Sequence, residues 1–135
     1  MTDNQQHELI VTAQNVRKNA YAPYSGFSVG AAVLGMSGRI YSGCNVENAS
    51  YPVSMCAERG AISAAIAGGE KSLQAVAIAS GSDQPCPPCG MCRQALAEFG
   101  PTMQVILVCS DGHIKNMLLQ DLLPEMFGPG FLKTT

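Results

Sequence analysis

Two short apolar runs, Leu73–Ala79 and Val105–Cys109, constrain the fold of this chain more than any other feature. Neither alternates apolar with polar residues as a half-solvated strand does, so each reads as a strand of a sheet covered on both faces. Covering both faces requires helices, and the chain supplies them. His7–Ala20 carries Leu9, Ile10, Ala13, Val16 and Ala20 at helical spacing and ends before Pro23. Phe27–Leu34 and Arg39–Val46 are β-prone runs separated by Gly35-Met36-Ser37-Gly38, the pattern of an antiparallel hairpin. Cys56–Ala67, mostly Ala and Ile with Glu58 and Arg59 in its first turn, predicts a helix packed on nearly all sides and stopped by Gly68-Gly69. Met91–Phe99 predicts another helix, Ile114–Leu118 an edge strand and Asp121–Met126 a short final helix. The expected class is α/β: a three-layer α/β/α sandwich around a mixed sheet of about five strands, with residues 1–135 forming one domain.

Composition narrows the function. With 47% hydrophobic and 13% charged residues, the chain is not disordered, and its ion-poor surface suits burial against further copies of itself. The net charge is −2 and the eight basic residues are scattered, leaving no basic stripe for a nucleic-acid partner. No apolar run approaches the roughly 20 residues of a membrane span, and the opening MTDNQQHE lacks a signal-peptide pattern, so no membrane partner and a cytoplasmic location are expected. In a reducing compartment the six cysteines point to metal or catalysis rather than to disulfides.

Cys89-Gly90-Met91-Cys92 at a helix start is by itself ambiguous: a dithiol redox pair, half of a structural zinc site, or part of a catalytic metal site. Cys56-Ala57-Glu58 at the start of another helix shifts the balance. Three thiolates from Cys56, Cys89 and Cys92 leave a fourth zinc position for water, and Glu58, two residues after Cys56, can face that water without ligating the metal. Helix N-termini favour thiolate over thiol. Three thiolates still overcompensate a dication, so a nearby cation is needed to restore its acidity. The loop Asn45–Pro52 is too polar for a core strand and suits ligand contact.

The pairing of Cys56-Ala-Glu58 with Pro88-Cys-Gly-Met-Cys92 resembles the zinc-dependent deaminases. From Tyr21-Ala-Pro-Tyr-Ser through Gly43-Cys-Asn-Val-Glu-Asn to Leu122-Leu-Pro and Phe127-Gly-Pro, the chain is similar to the small homotetrameric cytidine deaminases. That resemblance implies hydrolytic deamination of cytidine and 2′-deoxycytidine in pyrimidine salvage, one Zn2+ per subunit, and a homotetramer with sites near subunit interfaces. It implies that Glu58 carries a proton to N3 and then to the departing amine. Arg59 then donates to the zinc-bound sulfurs, with Gln94 adding a further bond to the metal site. Asn45 and Glu47 hold the ribose 3′-hydroxyl, Phe27 packs on the pyrimidine, and the Ala57 N–H meets the base carbonyl. Phe127 reaches a neighbouring subunit's site, and Tyr51 crosses an interface.

Two departures stand out: Gly60 where the family usually has threonine, and Gly130 and Phe131 where acidic residues are expected in the tail. Glycine at position 60 loosens the helix by roughly 0.5–1 kcal/mol relative to alanine. Cys44 and Cys109 read as core packing, and His7 and His113 as surface residues. With Cys86 added, the cysteines could form a closed four-cysteine zinc site or an iron–sulfur cluster, which would need neither Glu58 nor Arg59. The other readings are a deaminase of nucleic acid, one of a different small aminopyrimidine, and a non-enzymatic zinc module.

Overall fold

The computed structural model of the protein describes residues 1–132. Its elements, in chain order, are α1 (Asp3–Arg17), β1 (Val29–Gly35), β2 (Ile40–Cys44), α2 (Ala57–Ala67), β3 (Leu73–Ser80), α3 (Gly90–Phe99), β4 (Gln104–Val108), β5 (Ile114–Leu118) and α4 (Leu119–Leu122). Single 3-10 turns lie at Tyr51–Val53 and Pro129–Phe131. The strands form one five-stranded mixed sheet in the order β2-β1-β3-β4-β5. β1 is antiparallel to both β2 and β3, β3 and β4 are parallel, and β5 is an antiparallel edge.

Strand alternation explains why the central strands are apolar throughout. Ala31, Val33, Val76, Ile78, Val105 and Leu107 face α2 and α3, whereas Ala32, Leu34, Ala75, Ala77, Ile106 and Val108 face α1. Helices on both faces make the expected three-layer α/β/α sandwich. Among the described residues no helix is long and apolar enough to cross a membrane.

Two expected boundaries and one expected packing pattern shift for physical reasons. The first helix runs from Asp3 to Arg17 rather than 7–20, because Thr2 and Gln5 form a capping box: the Thr2 hydroxyl accepts from the Gln5 N–H at 3.1 Å, and the Thr2 N–H donates to Gln5 Oε1 at 2.9 Å. The final helix is Leu119–Leu122 rather than 121–126. Pro124 bars the later placement, since it lacks an N–H and forces Leu123 out of helical geometry, at φ −139° and ψ 71°. On α2, Ala57, Glu58, Ala61, Ile62 and Ala65 are buried, but Ser63, Ala64, Ile66 and Ala67 face outward, so within one chain the helix is covered on one side only.

The seat of α2 on the sheet is set by glycine. A Cβ at Gly43 of β2 would stand 2.4 Å from the Ala61 nitrogen and 2.7 Å from the Ala57 oxygen, so the helix backbone rests directly on the strand. Gly60 sits across from it with more room: a Cβ there would meet its nearest neighbour, the Gly43 Cα, at 3.6 Å. Gly60→Ala is therefore expected to raise stability by about 0.5–1 kcal/mol, and Gly43→Ala to lower it by more than that, both measured by urea unfolding.

At the hairpin tip, the buried Glu70 carboxylate accepts from the Ser37 hydroxyl, from the Ser37 N–H at 3.2 Å and from the Tyr41 hydroxyl at 2.8 Å, with Arg39 Nη2 at 3.7 Å. These bonds, the Ser37 hydroxyl's foremost, hold the carboxyl below its ordinary value of 4.5. A carboxylate with a depressed folded-state pKa stabilises the fold above its unfolded value, and that contribution is lost as pH falls through the folded one. Urea midpoints should accordingly drop below pH 4.5, with a shallower drop in Glu70→Gln.

Candidate metal centre and adjoining cavity

Both crossover helices, α2 between β2 and β3 and α3 between β3 and β4, lie on one face of the sheet, so their N-termini meet at the carboxyl ends of parallel strands. Cysteines stand at both starts. Cys56 is the N-cap of α2, Cys89 is the N-cap of α3, and Cys92 lies three residues on, on the same helical face as Cys89. Their sulfurs all lie within 4.8 Å of one another. Three sulfurs around a tetrahedral zinc with bonds near 2.3 Å stand about 3.8 Å apart, so the cluster fits zinc in both donor chemistry and spacing. Among the described residues this is the one such group, and Cys86 is not part of it.

The electrostatics favour ionised sulfur at Cys56. The Cys56 thiol is held down to about 5, first by a hydrogen bond from Cys92, then by the Arg59 guanidinium. The same contact, together with burial, pushes the Cys92 thiol up. Arg59 Nη2 donates to the Ser54 carbonyl at 3.2 Å, while its buried Nε has no hydrogen-bond partner among the described residues. An orphaned cationic N–H beside thiolates is suited to hold the excess negative charge of a three-sulfur centre.

Cys56 and Cys89 border a cavity of about 280 Å3 whose wall also includes Phe27, Asn45, Glu47, Ala57 and Glu58. Glu58 is 5% exposed, and burial, assisted by the charge of Cys56, raises its carboxyl above the ordinary glutamate value. Ala57 is the first residue of α2, where backbone N–H groups have no partner within the helix. Cys86 and Pro87 complete the wall beside Cys89, so the thiol left out of the cluster faces the cavity.

Asn45 and Glu47 both face this cavity, and both are already hydrogen-bonded to the loop that carries Phe27. Asn45 Oδ1 accepts from the Val29 N–H and Nδ2 donates to the Phe27 carbonyl, each at 2.8 Å. Glu47 accepts from the Tyr24 N–H at 2.9 Å, the Ser25 N–H at 3.1 Å and the Ser25 hydroxyl, which keep its carboxyl below the ordinary range, the Ser25 hydroxyl foremost. Gly26, at φ +69°, makes the turn that brings Phe27 to the wall.

Gln94 departs from expectation. Two residues after Cys92, it emerges on the opposite side of α3, is exposed, and donates from Nε2 to the Phe127 carbonyl at 2.9 Å, tying down the tail rather than the metal site. Phe127 stacks on Phe131 with ring centroids 5.5 Å apart, and Tyr51, 71% exposed, meets Tyr24 edge-on at 5.8 Å. The expected tail segment ends at 135, and its last residues, 133–135, lie outside the described residues.

Sequence reasoning missed Ser25 and Arg93. Ser25 binds Glu47 while accepting from the Phe27 N–H at 3.0 Å. Arg93 donates from Nε to the Pro88 carbonyl at 2.8 Å and from Nη1 to the Leu122 carbonyl at 2.7 Å, fixing the turn before Cys89. No sequence pattern announces either, because their partners are backbone atoms or lie far along the chain.

Asn45→Ala is expected to cost about 1–3 kcal/mol in urea unfolding, since it strands the Val29 N–H and the Phe27 carbonyl. A residue that only contacted ligand would leave the unfolding midpoint unchanged.

Comparison with known proteins agrees with this geometry. Residues 3–109 match the family model described as the cytidine and deoxycytidylate deaminase zinc-binding region. The chain is 43% identical over 121 residues to a cytidine deaminase of Sporosarcina psychrophila, covering 89% of each, and 42% identical over 116 residues to one of Mycobacterium tuberculosis, covering 86% of this chain and 84% of that one. The crystal structure of cytidine deaminase from Burkholderia pseudomallei superposes with a TM-score of 0.87 at 44% identity, covering 94% of this chain and all of that one. The Bacillus anthracis cytidine deaminase, at 20% identity and a TM-score of 0.73, shares the fold. With both CxE and PCxxC elements gathered at one cavity and the match spanning most of the chain, the protein belongs to the cytidine and deoxycytidylate deaminase family of enzymes.

Proposed function

We propose that this chain, acting as a single domain over residues 1–135, hydrolyses cytidine and 2′-deoxycytidine to uridine and 2′-deoxyuridine with release of ammonia, in pyrimidine salvage in the cytoplasm. The observation that carries the reading is the clustering of the Cys56, Cys89 and Cys92 sulfurs beside a cavity walled by the buried carboxyl of Glu58. The three cysteines would hold one zinc per subunit. Zinc bound there supplies the Lewis acidity that makes water nucleophilic near neutral pH.

The rest of the chemistry belongs to side chains of this chain. Burial raises the Glu58 carboxyl toward the pH at which it can both take and give a proton, so it delivers one to N3 as the C4–O bond forms and one to the amine as the C4–N bond breaks. Arg59 offsets the surplus charge of three thiolates. Phe27 packs on the pyrimidine, the Ala57 N–H meets the base carbonyl, and Asn45 and Glu47, with acceptor and donor capacity left after holding the loop, grip the 3′-hydroxyl.

Charge supports a nucleoside over a nucleotide. Among the described residues no lysine or arginine lines the cavity, and Glu47, held in its ionised form, repels a 5′-phosphate. A homotetramer agrees with the exposed small-residue side of α2 and with the outward aromatics Tyr51 and Phe127, which would then reach neighbouring sites.

The test is loss of the cytidine ultraviolet spectrum on purified protein, with zinc per chain measured on the same sample. Turnover with about one zinc is expected for the native chain. Glu58→Gln should keep the metal and lose at least about a hundredfold in kcat, whereas Cys92→Ser should lose the metal. Undiminished turnover in Glu58→Gln would remove that residue from the mechanism.

A further inference from the structure

We propose a second ligand site, for a phosphate-like oxyanion, on the reverse face of the sheet. Ile78 and Ala79 are consecutive on β3, so their side chains leave opposite faces: Ile78 lines the cavity beside the cysteines, and Ala79 lines another of about 210 Å3. This second cavity is walled by Gln14, Arg17 and Lys18 at the end of α1, by Ser80 at the end of β3, and by Cys109 and Ser110 just past β4. No carboxylate among the described residues lines it.

Arg17 is held in place for such a ligand. Its Nε donates to the Ser28 carbonyl at 3.0 Å, and its guanidinium lies across Gly81, where a Cβ would stand 2.4 Å from Nη2. Neither Arg17 nor Lys18 pairs with an acid, because the ion pairs among the described residues are Arg39 with Glu70 and His113 with Asp111. The nearest acid in sequence, Asp111, is turned toward His113 at 2.8 Å.

The usual reason for cations at this position, the negative end of a helix, is largely spent. The carbonyls of Asn15, Val16 and Arg17 already accept from the backbone N–H groups of Lys18, Asn19 and Ala20. The buried Ser80 hydroxyl accepts from the Ser82 N–H at 3.3 Å, which leaves its proton to donate. A planar guanidinium, an ammonium, two hydroxyls and an amide with no acid among them complement a tetrahedral oxyanion, either free phosphate or the phosphate of a small monoester. The site stands apart from the proposed reaction: it shares no lining residue with the first cavity.

Calorimetric titration of the full chain at constant ionic strength, with inorganic phosphate and separately with glycerol 3-phosphate, tests it. Saturable binding at one site per chain is expected, tighter for whichever form is the ligand. Lys18→Gln should weaken it by about tenfold, the factor carried by one charge-assisted hydrogen bond, and Lys18→Arg should restore it. Ser110→Ala should weaken it less, with unchanged melting temperatures for all three variants. No saturable heat above a chloride control, or equal affinity in Lys18→Gln, overturns the proposal.

Discussion

Everything chemical in this molecule depends on two helix N-termini being brought side by side. Each of α2 and α3 links strands that run the same way, and both cross on one face, so both begin at the same edge of the sheet. Those first turns hold N–H groups without helical partners and the positive ends of two dipoles. The sulfurs of Cys56 and Cys89 therefore sit where backbone already favours negative charge, and Cys92 joins them because helical spacing puts it above Cys89. The turn tied by Arg93 and the loop tied by Asn45 and Glu47 hold the approaches to this point rather than forming it.

Charge is distributed in layers around the three sulfurs. Arg59 stands beside them as the counter-cation, and burial raises the Glu58 carboxyl above the ordinary glutamate value. Further out, Glu47 is stabilised as an anion by Ser25 and Tyr24. Two glutamates of one cavity are thus driven in opposite directions, one by burial and the other by hydrogen bonds.

Much of this could be read from sequence, for identifiable reasons. The layers follow from strands too apolar to face water, and the clustering of three cysteines from Cys-x-Glu and Pro-Cys-x-x-Cys at predicted helix starts. Local signals that were present but outweighed account for the misplaced boundaries: the Thr2/Gln5 box precedes the first apolar repeat, and Pro124 sits inside an otherwise helical stretch. Gln94 shows the limit of proximity along the chain, since two residues on a helix is just over half a turn. What sequence could not supply is the double use of Asn45 and Glu47, because their loop partners are backbone groups that no side-chain pattern marks.

The direct contact of α2 with Gly43 also bears on how such a chain can change over time. Where side chains separate a helix from a sheet, every swap of leucine for valine resets the spacing, and a metal site on that helix moves with it. Here backbone rests on backbone at 2.4–2.7 Å from where a Cβ would be, so the height of Cys56 above the sheet is independent of core side-chain size nearby. Core residues nearby can then differ in size without changing where Cys56 stands. The invariance demanded of the site is concentrated in a position with no side chain to vary.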